Sequence, residues 1–214
     1  MTKGFIIAGT DTNVGKTILS ALLMSSIDEA VYWKPLQSGS LERSDSDVVR
    51  EISGVDIARV LPEAYCFQRP LSPHLAAALD NVSIKRELLS LPQTEKFLIV
   101  ECAGGVLVPI QDDLLQIDLY TSWALPVLLA TRSSLGTINH TLLTLEALRR
   151  RGIEVFGCVV IGEPNPENEQ AIASYGKIDV VGRIPQLPAI DRKILRTIYD
   201  VHFDLMKTRL TNLV

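Results

Sequence analysis

The chain has 214 residues, 47% hydrophobic and 21% charged, the proportions of a globular protein and not of a disordered or collagen-like one. That length is expected to form one domain, residues 1–214. The 21 basic and 25 acidic residues give a formal charge of −4, and no basic block exceeds Arg149–Arg151, which argues against a nucleic-acid-binding face.

Short apolar runs rich in Val, Ile and Leu alternate with segments of helical period along the chain. Strands are predicted over Gly4–Ala8, Ala30–Trp33, Phe97–Val100, Val127–Ala130, Val155–Ile161 and Asp179–Gly182. Most are nearly continuous in apolar residues, as in strands covered on both faces. Helices are predicted over Lys16–Ser26, Ser46–Ile52, Ile84–Leu91, Leu115–Trp123, Ile138–Arg151 and Ile190–Lys207. The alternation predicts an α/β fold with a mostly parallel sheet and helices on both of its faces. In Ile138–Arg151, Thr137 is expected to cap the start and Gly152 to provide the left-handed stop. The stretch Pro35–Asp45 reads as a long loop inside the domain.

The longest apolar stretches, Trp123–Ala130 and Val155–Ile161, fall well short of the ~20 residues a membrane span needs. Phe5–Ala8, followed by Asp11, is too short for a signal peptide. Cys66, Cys102 and Cys158 form no C-x-x-C pair, so neither a disulfide framework nor a zinc site is expected. A cytoplasmic protein with no membrane and no nucleic-acid partner is the expectation.

Phe5–Ala8, then Gly9-Thr10-Asp11-Thr12-Asn13-Val14-Gly15-Lys16-Thr17, then Ile18–Leu23 reads as strand, glycine loop, helix. Successive loop amides and the first helical turn suit a polyphosphate. Gly15 lets the backbone approach closely, Lys16 reaches the terminal phosphates and Thr17 offers a hydroxyl to Mg²⁺. The first glycine stands one residue earlier than in the generic G-x-x-x-x-G-K-[ST] pattern.

Further segments complete a pattern: Trp33-Lys34-Pro35-Leu36-Gln37-Ser38-Gly39, Ser46-Asp47, Arg69–His74, Val100-Glu101-Cys102-Ala103-Gly104-Gly105 and Leu135-Gly136-Thr137-Ile138-Asn139-His140. Together with G-T-D-T-N-V-G-K-T they closely resemble the dethiobiotin synthetase family, in order from residue 4 to about residue 188. The early glycine is that family's own form of the loop. The resemblance implies a P-loop fold, a homodimer with a shared active site, and conversion of 7,8-diaminopelargonate, CO2 and MgATP to dethiobiotin, ADP and phosphate. It implies a carbamate and then a carbamic-phosphoric anhydride on the way.

The resemblance also distributes roles over this sequence. Lys34 and Lys16, with Thr12 and Ser38, match catalytic positions; turn chemistry is the alternative for Thr12 and Ser38. Asn13, Val14, Gly15, Lys16, Thr17 and Ile18 would hold the nucleotide's phosphates, and Ile161, Gly162, Ile184 and Pro185 its base. Thr17, Asp47 and Glu101 match the Mg²⁺ ligands, with Asp45 as the other candidate for the aspartate, since either acid could cap the helix. Thr12, Ser38, Gly104 and Gly105 would meet the diamine and its carbamate. Leu135, Gly136, Thr137, Ile138 and Asn139 would receive the substrate carboxylate across the dimer interface. Ile161 stands where the family usually reads adenine with an asparagine, which implies relaxed base selectivity.

Two other readings compete. A P-loop ATPase switch of the partition or cell-division type carries an extra lysine early in the loop, and Gly9–Val14 contains none. An amidotransferase-linked ATPase needs a glutaminase partner or domain, which this chain does not encode.

Overall fold

The computed structural model describes residues 2–39 and 43–211. In chain order the elements are β1 (Gly4–Gly9), α1 (Lys16–Ser26), β2 (Val31–Trp33), β3 (Leu36–Ser38), α2 (Asp45–Ser53), β4 (Val60–Leu61), β5 (Tyr65–Phe67) and α3 (Pro73–Leu79). There follow β6 (Leu98–Gly105), β7 (Pro109–Gln111), β8 (Leu114–Leu115), α4 (Gln116–Trp123), β9 (Val127–Arg132), α5 (Thr137–Arg150), β10 (Val155–Ile161), α6 (Pro166–Gly176), β11 (Val180–Ile184), α7 (Arg192–His202) and α8 (Asp204–Thr211).

Seven strands make one parallel sheet in the order β11-β10-β9-β1-β6-β2-β4. Its strands alternate between two apolar layers, which is why their sequences are apolar throughout. Ile6, Ala8, Leu98, Val100 and Leu129 face one layer with Leu145, Leu148 and Ile172 of α5 and α6. Phe5, Ile7, Ile99 and Leu128 face the other with Leu19, Leu22 and Leu23 of α1, and with Leu195, Ile198 and Met206 of α7 and α8. The chain passes from β1 to β2 on one side, and after β6 it crosses to β9 on the other side of β1, so the loop after β1 opens at the point where strand order reverses.

All six expected strands and the expected architecture are present, and several details are corrected. The helix expected from Ile138 starts at Thr137, and its cap is Gly136 at φ 92°. Thr137 does not cap; its hydroxyl is 2.8 Å from that of Thr131 and donates to the Arg132 carbonyl. Gly152 at φ 66° does take the left-handed conformation after α5. Ile84–Leu91 forms only one 3₁₀ turn, Arg86–Leu89. Ile190–Lys207 divides at Phe203, whose ring lies against Gly182, where any Cβ would collide with it. Pro35–Asp45 is no simple loop: β3 lies within it, paired in parallel with β5, while residues 40–42 lie outside the described residues.

Candidate active site

The sequence Thr12–Thr17 folds around two left-handed residues, Asn13 at φ 57° and Gly15 at φ 97°. Gly15 is the N-cap of α1 and has no side chain to satisfy the helix's first amides, leaving them directed outward from its positive end. A Cβ at Gly15 would lie 2.9 Å from Ile161 Cδ1, so the close approach there requires glycine. Lys16 is buried, and its Nζ donates to the Asp11 carbonyl at 3.1 Å. Burial lowers its pKa, against the opposing pull of Glu101. Arg132, at the end of β9, holds Asp11 from outside at 2.8 Å.

Beside the loop stands a charged cluster. Lys34, just past β2, is 3% exposed, and Glu101, on β6, is 1% exposed. Lys34 Nζ lies 2.6 Å from Asp45 Oδ2 and 3.1 Å from Glu101 Oε1. The Thr17 hydroxyl lies 2.9 Å from Glu101 Oε1 and 3.1 Å from Asp45 Oδ1, and its single proton is shared between them. Tyr32 donates to the other Glu101 oxygen at 3.0 Å. Burial works against the Lys34 charge, but Glu101 and Asp45 outweigh it and hold the ammonium above its ordinary pKa. Burial raises Asp45, and Lys34 more than reverses this, so its carboxyl sits below the usual range.

These groups border a cavity of about 750 Å³ whose lining includes Thr12, Asn13, Gly15, Lys16, Thr17, Ile18, Lys34, Ser38, Asp45, Glu101 and Gly104. That volume accommodates a cofactor-sized ligand. Ser38 Oγ is buried without a hydrogen-bond partner among the described residues. Gly104 adopts φ 58°, and a Cβ there would lie 3.3 Å from Thr12 Oγ1. Gly105 follows at the end of β6, paired with Gly9 of β1.

The structure separates the two candidate aspartates. Asp47 accepts from the Ser44 amide at 3.2 Å and from its hydroxyl at 2.8 Å, closing a capping box on the exposed start of α2. Asp45, not Asp47, stands with Thr17 and Glu101. Among the described residues no group of three His, Cys, Asp or Glu is placed to hold a metal; the oxygens gathered here come from two carboxylates and a hydroxyl.

Other expected residues lie apart from the cavity. Val14 is buried in the core, so only its backbone can meet a phosphate. Ile161 packs over Gly15, and Gly162, at φ 127°, donates to the Ile184 carbonyl at 2.9 Å. The Ile184 side chain is in the core, so it does not face a base; Pro185 is half-buried beside it. Leu135, Gly136, Thr137, Ile138 and Asn139 form the start of α5 and do not reach the cavity of their own chain. Leu135 is 100% exposed.

Sequence reasoning did not find Tyr32 or Gln37. Gln37 lines the cavity and accepts the Asp45 amide at 3.1 Å, which fixes the start of α2. The only signal was their place beside Lys34 in a buried run, which does not say which side chains turn inward.

No described helix is long and apolar enough to cross a membrane. A family model described as an AAA domain matches residues 3–193. The chain is 48% identical over 205 residues to an ATP-dependent dethiobiotin synthetase of Agrobacterium fabrum, covering 96% of each. It is 44% identical over 203 residues to the enzyme of the same name from Rhizorhabdus wittichii, covering 95% of this chain and 97% of the relative. Among solved structures, a chain from Borrelia burgdorferi described as a plasmid partition protein and bound to AMPPNP superposes with TM-score 0.57, 99% coverage of each and 11% identity. The MinC:MinD cell division complex of Aquifex aeolicus gives TM-score 0.50 and 14% identity, covering 87% of this chain and 82% of that one. The structural likenesses establish a shared P-loop fold, and the near-full-length sequence identity establishes the kinship: the chain belongs to the family of ATP-dependent dethiobiotin synthetases, which are ligases.

Proposed function

We propose that this chain carboxylates 7,8-diaminopelargonate with CO2 and closes the ureido ring of dethiobiotin at the expense of ATP. The observation that carries the reading is the buried Lys34 ammonium beside the phosphate loop, at the rim of a cavity that also holds Glu101 and Asp45. Carbon dioxide offers no charge to grip. An amine of the substrate therefore captures it first, losing a proton and becoming a carbamate anion. A carbamate oxygen then attacks the γ-phosphorus and ADP leaves. The second amine attacks the carbamate carbon, expels phosphate and loses a proton, which closes the ring.

Each residue has a physical task in that sequence. Loop amides from Asn13 to Ile18 receive the phosphates at the positive end of α1. Lys16 exchanges its carbonyl partner, Asp11, for phosphate oxygens. Lys34 is kept protonated by its carboxylate neighbours, and it stabilises the carbamate and the charge on the transferring phosphoryl group. Ser38 Oγ, which has no partner among the described residues, together with Thr12 and the Gly104 amide, orients the carbamate.

Thr17, Asp45 and Glu101 supply only hard oxygens, the donors Mg²⁺ prefers, and these residues would hold it. Bound there, the ion screens the charge of the nucleotide's phosphates. We assign this ligand set Asp45 in place of Asp47. The start of α5 in a second copy, with its exposed Leu135 and the first-turn amides of Ile138 and Asn139, would receive the substrate carboxylate, which makes the working unit a homodimer. The test is to incubate the purified protein with diaminopelargonate, bicarbonate and MgATP and to detect dethiobiotin by mass spectrometry. Dethiobiotin in one-to-one ratio with ADP is the expected result; ADP without dethiobiotin contradicts it.

A further inference from the structure

Gln116, the first residue of α4, is 2% exposed and lies outside the cavity lining. Its side-chain amide grips the end of β6 at both sides of Gly104. Oε1 accepts the Ala103 amide at 3.0 Å. Nε2 donates to the Ala103 carbonyl at 2.7 Å and the Gly105 carbonyl at 3.1 Å, and lies 3.0 Å from the Tyr120 hydroxyl. The two Nε2 protons are thus shared among three acceptors, and no donor of this amide is left over. Towards Ala103 it behaves as a neighbouring strand does, meeting both the N–H and the C=O of one residue.

That grip has a directional consequence. No peptide in the described chain is cis, so the Ala103 carbonyl and the Gly104 N–H, which belong to one peptide plane, point opposite ways. With the carbonyl held toward Gln116, the Gly104 N–H is turned away from it. Gly104 lines the cavity, and its left-handed φ of 58° leaves this peptide free to rotate if nothing holds it. The backbone of α4 adds two further tethers, from the Gln116 amide to the Val108 carbonyl and from the Ile117 amide to the Val106 carbonyl, both at 2.9 Å. Those two hold the segment after Gly105 but not the peptide before Gly104.

We infer that Gln116 is a positioning residue: it orients the 103–104 peptide so that the Gly104 N–H is presented to the anionic carbamate or the phosphoryl group moving onto it. The inference rests on the reaction proposed above. A donor aimed where charge develops acts in the transition state, so its misalignment costs turnover more than nucleotide binding.

Gln116→Glu keeps the acceptor for the Ala103 amide and the side chain's shape, but replaces the donor to both carbonyls by a carboxylate. Gln116→Met keeps only the bulk. For each folded variant, turnover with saturating substrates, KM for the diamine, and the dissociation constant of a fluorescent ATP analogue are measured. Amide hydrogen exchange of segments 101–108 and 9–17 is followed without any substrate. Expected are a kcat loss of tenfold or more, ATP-analogue affinity within twofold of the parent, and faster exchange in 101–108 with 9–17 unchanged. A kcat within twofold of the parent in Gln116→Glu overturns the inference, as does a loss of nucleotide affinity equal to the loss of kcat. If the parent protein makes no dethiobiotin, the proposed reaction fails, while the exchange result still decides whether Gln116 holds this segment.

Discussion

Replacing Lys34 by alanine removes the ammonium in direct contact with both Asp45 and Glu101, and its effects on rate and on stability can be separated. The contacts of 2.6 and 3.1 Å each correspond to an attraction on the order of 5 kcal/mol at an effective dielectric of 20. Desolvating each ion costs several kcal/mol, so the net worth of the intact cluster is small; the cost of leaving its carboxylates unpaired is not. Removing one partner of a buried pair costs about 3–5 kcal/mol. Glu101 keeps the hydroxyls of Thr17 and Tyr32, and the cavity lets water reach the vacated position, which places the loss near the lower figure. In a domain of this size about 3 kcal/mol lowers Tm by roughly 6–12 °C. The rate effect is distinct: losing a charge contact to the transition state lowers kcat at least about a hundredfold, or about 2.7 kcal/mol. The assay is dethiobiotin formation at a temperature where circular dichroism shows Lys34→Ala folded. A kcat within about threefold of the parent refutes the assigned role, whatever happens to Tm.

The two aspartates of α2 make opposite predictions. Asp45→Asn abolishes Mg²⁺-dependent turnover, whereas Asp47→Asn keeps it and loses about 1 kcal/mol of stability with the capping box. The Ser44 hydroxyl and amide hold the Asp47 carboxyl below its ordinary pKa of 3.8. Its contribution is therefore present above pH 3.8 and disappears as pH falls through the lower folded-state value, so the stability gap between parent and Asp47→Asn narrows in acid in denaturant titrations. Equal activity loss in both variants contradicts the separation. For the base, Ile161 can pack but not hydrogen-bond a purine edge, and turnover with CTP and GTP is expected within about tenfold of that with ATP, since a missing polar reader forfeits the large discrimination such groups provide. Strong ATP preference in parallel kinetics counts against this.

What could be read from the sequence depended on whether the signal was local. Gly15, Lys16 and Thr17 are contiguous, so the strand, loop and helix that carry the proposed phosphate site were legible without tertiary knowledge. The six main strands were legible because burial on both faces makes them continuously apolar. The Asp45 and Asp47 choice was harder, because two residues on a helix turn a side chain to the opposite face; the S-x-x-D spacing from Ser44 to Asp47 was the available sign of a cap. Tyr32 and Gln37 were hidden because strand register decides which neighbours of Lys34 meet Glu101 and Asp45. Helix α6 was missed for its polar composition, although Asn165 caps it and Pro166 opens it. The break at Phe203 is tertiary, set by the space that Gly182 leaves for the ring.

The origin of the oxygen in the released phosphate tests the chemistry assigned to this cavity most directly. With ¹⁸O-labelled CO2, short reaction times and unlabelled water, a phosphorylated carbamate delivers one labelled oxygen to inorganic phosphate and leaves one in the ureido carbonyl of dethiobiotin. Phosphate free of label, beside labelled dethiobiotin, would mean that no carbamate oxygen receives the phosphoryl group, and the roles given to Lys34 and the phosphate loop would be wrong.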